Sequence, residues 1–124
     1  MISIIKSHHP RRHVKSFKHA FDGIFHALLN EANFRIQVFI AVIAVFLAFY
    51  FKIGTAEWGI LLISLGGLLS AEMLNTVVEE LMDFFVNEEN AAVKVIKDLA
   101  AGFVLVNALS TFVILILIFG HRFG

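Results

Sequence analysis

Leu68-Leu-Ser-Ala-Glu72-Met-Leu-Asn75-Thr-Val-Val-Glu79-Glu-Leu-Met-Asp83-Phe-Phe85 spaces its polar side chains so that a helix gathers them on one side. At about 100° per residue, Glu72, Asn75, Glu79 and Asp83 fall near 0°, 300°, 340° and 20°, a stripe about 80° wide. It holds three carboxylates and an amide. Upstream, Trp58 to Ala71 contains no charge, so the stripe continues a helix apolar enough for a membrane. Carboxylates in such a helix are costly and mark function.

The rest of the chain agrees with that setting. Among its 124 residues 59% are hydrophobic, 16% are charged and 14 are Phe. The mean hydropathy is +0.84. So apolar a chain of this size is a small integral membrane domain. Zero formal net charge argues against a nucleic-acid partner, and the absence of Cys excludes disulfide and thiolate chemistry. The N-terminus carries Lys6, His8, His9, Arg11 and Arg12 and lacks a signal-peptide pattern, so the whole chain is expected to be retained.

With about 20 apolar residues needed to cross a bilayer, three spans are predicted, near residues 34–51, 58–85 and 99–119. Arg35 and Gln37 fall at the start of the first, within reach of headgroups. Asn107, Ser110 and Thr111 in the third are expected to hydrogen-bond between helices, and Gly66-Gly67, Ser64 and Ser70 in the second to allow close packing. Ahead of the spans, over about 12–29, Phe17, Phe21, Ile24, Phe25 and Leu28 recur at helical spacing while Lys15, Lys18 and His19 take other faces. That pattern predicts an amphipathic helix lying on the membrane surface. The expected fold is all-α integral membrane: three transmembrane helices plus an N-terminal surface helix, one domain over 1–124. Lys6, Arg11, Arg12, Lys15 and Lys18 before the first span, and Lys94 and Lys97 between the last two, place the N-terminus in the cytoplasm by the positive-inside rule.

Under that topology Glu31, the Glu72–Asp83 stripe and Lys97-Asp98 come to one membrane face. Glu72 and Glu79 lie about 10 Å apart along the helix axis, the second nearer water. Carboxylates at interfacial depth suit Mg²⁺, an oxygen-seeking cation that bridges substrate phosphates. A deeper carboxylate can take a proton from a lipid hydroxyl. A metal-bound nucleotide on the water side and an alcohol on the lipid side give a phosphoryl transferase.

Asn30-Glu31-Ala-Asn-Phe34-Arg35, Glu72-Met-Leu-Asn75-Thr-Val-Val-Glu79 with Asp83, and Lys97-Asp98-Leu-Ala-Ala-Gly102 resemble the signature segments of the small prokaryotic diacylglycerol kinase and undecaprenol kinase family. The resemblance runs from about Arg12 to the end of the chain. It implies a homotrimer in the bacterial inner membrane, and no glycine-rich phosphate loop, in keeping with the lack of a G-x-x-x-x-G-K motif. It implies Glu72 as catalytic base with Asn75 in support, and Glu31 and Glu79 as ligands of the Mg²⁺ that accompanies ATP. Nucleotide contacts are implied at Arg12, His19, Glu31, Glu79, Glu88, Lys97 and Asp98, and lipid contacts at Glu72, Phe34, Arg35, Trp58 and Ala101. Diacylglycerol is taken as the acceptor, with undecaprenol as the alternative. The chain departs from the family at Glu88-Glu89-Asn90, where relatives usually carry an aromatic or similar residue and then a histidine.

Each feature has a plainer explanation. Asp83 could be a solvated or salt-bridged helix end, Glu31 a helix-dipole partner, and Lys97 a topology signal. His8, His9 and His13 with Arg11 and Arg12 read as a headgroup-binding patch rather than a metal site. A small multi-span transporter would also bury a Glu, but it has no need of further interfacial carboxylates and a Lys-Asp pair. A non-catalytic assembly subunit leaves the cost of Glu72 without a return.

Overall fold

A computed structural model describes residues 10–88 and 90–124. Lys6, His8, His9 and Glu89 lie outside the described residues. Among the described residues four helices follow one another: α1 (Pro10–Asn30), α2 (Ala32–Phe51), α3 (Thr55–Phe85) and α4 (Ala91–Phe119). The last three are long and apolar enough to cross a membrane. The chain divides into two compact units, residues 1–32 and 33–124.

In the first unit, α1 opens on Pro10, whose fixed φ and missing N–H suit the first helical turn. Phe17, Phe21 and Phe25 share a face and are all more than half exposed, as an amphipathic surface helix requires. At its end Asn30 Nδ2 donates to the His26 carbonyl at 2.9 Å. Glu31 alone separates α1 from α2, its N–H donating to the Ala27 carbonyl at 2.9 Å.

In the second unit, α2 ends in a tight reversal. The Lys52 N–H donates to Phe49 O at 3.3 Å and the Ile53 N–H to Ala48 O at 3.2 Å, the paired bonds of a Schellman cap. Lys52 takes the left-handed backbone such a cap needs, with φ 53°. Ile53 and Ala48, the two ends of the longer bond, both join an apolar cluster with Ala44, Leu61, Leu65, Ile118 and Phe119. Ala44 and Ala48 are the buried side chains that α2 contributes to it. Trp58 flanks the cluster and stacks against Phe49, ring centroids 4.8 Å apart. At the same end Arg122 grips Glu57 with two nitrogens on two oxygens, 2.9 Å each, and also donates to the Ile118 carbonyl.

The α3–α4 pair forms the most extensive helix packing. Midway, Ser64 Oγ donates to Thr111 Oγ1 at 2.9 Å, the interhelical bond expected of Thr111. Asn107 instead bonds within its own helix, to Phe103 O at 2.9 Å. Gly67 faces Asn107, whereas a side chain at Gly66 would meet nothing within 4 Å, so close packing accounts for only one of the two glycines within this chain. α4 begins eight residues before the predicted span, because Asn90 caps it: its side-chain oxygen accepts from Val93 N at 2.9 Å.

Candidate active site

The carboxylate stripe lies on the last half of α3, as its periodicity predicts. Measured from Glu57, Glu72 stands about 22 Å along the helix axis and Glu79 about 33 Å. Against a hydrocarbon layer about 30 Å thick, Glu72 stands within one such thickness of Glu57 and Glu79 slightly beyond it. Burial follows the same order. Glu72 is 3% exposed, Asn75 8%, and Glu79 is half-buried.

Glu72 is held by its surroundings. Gln37, on α2, donates from Nε2 to Glu72 Oε2 at 3.3 Å. Thr76, one turn on, donates to the Glu72 backbone carbonyl at 3.0 Å. The sequence placed Gln37 among headgroups; the structure turns it inward, because a carboxylate across the helix pair offers a charge-assisted bond that a lipid-facing amide would lack. Asn75 donates from Nδ2 to Glu79 Oε1 at 3.2 Å, while its own Oδ1 is buried without a protein partner. That amide borders an apolar groove of about 290 Å³ with Leu74, Val78, Ile96, Leu99, Ala100 and Phe103.

Toward the water side, Lys97 Nζ donates to Asp83 Oδ1 at 2.7 Å, joining α4 to the end of the stripe. Asp83 is therefore a salt-bridged helix end, the plainer of its two readings. Asp98 turns to Lys94 at 2.6 Å, so neighbours in sequence find separate partners. Asn90, Val93, Lys94, Lys97 and Asp98 border a surface groove of about 440 Å³, wide enough for a small polyanion to approach the lysines. Lys94, read in the sequence only as a topology signal, lines that groove together with Lys97.

The remaining candidates are distributed. Phe34 is buried at 3% exposure, three residues before Gln37 on α2, and Arg35 beside it is exposed. Ala101 and Glu88 are exposed on α4 and on the connection before it. Trp58 belongs to the opposite end of α3, about 21 Å from Glu72 along the axis; the two do not meet. Arg12 and His19 are exposed on α1, and Glu31 is half-buried where α1 ends. Among the described residues no three His, Cys, Asp or Glu side chains converge on one point. The donors available to a metal are carboxylate oxygens, the class that Mg²⁺ prefers.

Helices long and apolar enough to span a membrane, with a buried, hydrogen-bonded carboxylate and the Lys97–Asp83 pair further along the same stripe, are the arrangement of a helical membrane enzyme. The chain belongs to the prokaryotic diacylglycerol kinase family, whose pattern matches residues 18–119. It is a lipid kinase, a phosphotransferase with an alcohol acceptor, and its reaction is nucleotide-dependent. The chain is 35% identical over 108 residues to the undecaprenol kinase of Bacillus subtilis (strain 168), covering 87% of this chain and 88% of that protein. It is 29% identical over 100 residues to a diacylglycerol kinase of Synechocystis sp., covering 80% of this chain and 57% of that protein. To a diacylglycerol kinase of Helicobacter pylori (strain 26695) it is 29% identical over 92 residues, covering 74% and 72%.

Proposed function

We propose that the protein transfers the γ-phosphate of ATP to the hydroxyl of a membrane polyprenol, undecaprenol, with Glu72 as general base. The observation that carries this reading is the 3%-exposed Glu72 carboxylate, fixed by an amide from a second helix at a depth where a lipid hydroxyl can reach it. The diacylglycerol of the sequence reading moves to second place. The higher identity and fuller coverage belong to the relative that acts on undecaprenol, and the diacylglycerol kinases at 29% keep the other lipid as the alternative.

In this reading the Glu72 carboxylate takes the hydroxyl proton as the alcohol oxygen forms its bond to the γ-phosphorus. The bond from that phosphorus to the bridging oxygen breaks, and ADP leaves with the electron pair. Asn75 orients the stripe by holding Glu79. Glu79, and from the resemblance Glu31, are the carboxylates that would hold Mg²⁺. The ion, when bound, neutralises charge on the phosphates. Lys97 and Asp98, with Arg12, His19 and Glu88, contact the nucleotide. Phe34, Arg35 and Ala101 are assigned to the lipid, and Trp58 to the far end of a long prenyl chain. We further take residues 1–124 as one kinase domain, its N-terminus cytoplasmic, working as a homotrimer in the bacterial inner membrane.

The test is transfer of labelled γ-phosphate from Mg·ATP to undecaprenol and, in parallel, to diacylglycerol in mixed micelles. Product from the polyprenol is expected, and Glu72→Gln should cut turnover by about 10²–10⁴-fold while leaving helical content unchanged. Product from diacylglycerol alone overturns the acceptor. Full turnover in Glu72→Gln overturns the base.

A further inference from the structure

We infer that Gln37 is a positioning residue for Glu72, acting through the two faces of its amide on the carboxylate and on the carboxylic acid in turn. The inference rests on Glu72 being the base. Gln37 is one turn beyond the buried Phe34 on α2 and reaches across to α3, where Nε2 donates to Glu72 Oε2 at 3.3 Å. Its other polar atom, Oε1, is buried and without a hydrogen-bond partner. A buried carbonyl left so is costly. A single-purpose orienting group would gain nothing from carrying it.

Proton transfer gives the second face a use. When the proton of the acceptor hydroxyl comes to sit on Glu72 Oε2, that oxygen becomes a donor and the amide N–H facing it is a second donor. A half-turn about the last torsion of Gln37 brings Oε1 to the carboxyl O–H, and Nε2 takes the place that Oε1 had. Gln is the side chain that does this without changing charge; Glu would repel the carboxylate, and Met would serve neither state. The amide thus keeps the same Glu72 rotamer through both halves of the reaction.

Gln37→Met is close in size and removes both faces. Its kcat should fall roughly 100-fold, the effect of misplacing a reacting group by about 1 Å, with KM for ATP within twofold of the parent. Gln37→His, which retains a ring nitrogen that donates or accepts, should recover at least tenfold of that loss. Helical content and thermal midpoint in detergent are read for each variant. Combining Gln37→Met with Glu72→Gln should lower the residual rate no further. Parental kcat in Gln37→Met, or recovery no better in Gln37→His than in Gln37→Leu, overturns the inference. So does a rise in KM for ATP that accounts for the whole loss. If Glu72→Gln itself turns over at the parental rate, the base assignment is what has failed, and the two results are told apart in one series.

Discussion

Lys52 holds a φ of 53°, in a region that L-residues enter at a cost of roughly 1–2 kcal/mol and glycine enters freely. The cap it forms satisfies the last carbonyls of α2 and delivers Ile53 to the apolar cluster. Glycine there would remove strain but add freedom to the unfolded chain, worth about 0.5–1 kcal/mol. Lys52→Gly is therefore expected to be neutral or up to about 1 kcal/mol stabilising. Lys52→Val, with a β-branched side chain in the same backbone, should be clearly destabilising. Thermal midpoints in one detergent check the order; Val at or above Gly would show that the reversal does not depend on a left-handed residue. Nothing in the sequence marks Lys52 for this part, since a lysine between two apolar runs reads as a loop charge. Gln37 was hidden for a related reason. One amide at the edge of a span looks like a headgroup contact, and its partner lies 35 residues away on another helix. Periodicity reveals faces, not which faces meet.

Among the elements, α3 was the most legible, because its stripe depends only on the 3.6-residue turn and its apolar half only on hydropathy. α4 was legible from Leu99 onward and invisible before it. Hydropathy registers the uncharged part of a helix, while the first two turns of α4 mix Ala, Val and Ile with Lys94 and Lys97 and follow a cap. Asn90 supplies it, accepting from Val93 N, and those two turns carry Lys94, Lys97 and Asp98. The departure at Glu88-Glu89-Asn90 thus includes the residue that starts the helix. Asn90→Ala should cost about 1 kcal/mol of local helix stability, and Asn90→Asp or Asn90→Ser should retain most of it. The readout is KM for ATP alongside thermal stability. A fraying first turn loosens both lysines together, so KM should rise while kcat at saturation holds. An unchanged KM would mean that the cap is not what holds Lys97 against Asp83.

At the scale of the whole molecule, the membrane-spanning unit is fastened unevenly. Its apolar cluster, its tight reversal and the Arg122–Glu57 pair all gather at one end of the three helices. The Glu72 end is joined by polar contacts: Gln37 with Glu72, and Lys97 with Asp83. Arg122 lies beyond the stretch matched by the family pattern, which ends at residue 119. Arg122→Ala should lower the thermal midpoint, and Glu57→Gln added to it should lower it little further, since the two charges act as one contact. Turnover per folded protein should stay at the parental level. A large loss of kcat in Arg122→Ala would show that the far end communicates with the base.

That unevenness has a consequence for how the protein breathes. Local openings start where buried apolar contact is sparse, so the backbone amides of α2 and α3 should not exchange with deuterium alike along their length. Amides near Ala48 and Leu61 are expected to be the slowest, and those from Phe34 to Gln37 and from Glu72 to Glu79 progressively faster. Of the two halves, the one that holds Glu72 is then the one through which a lipid alcohol is expected to reach it.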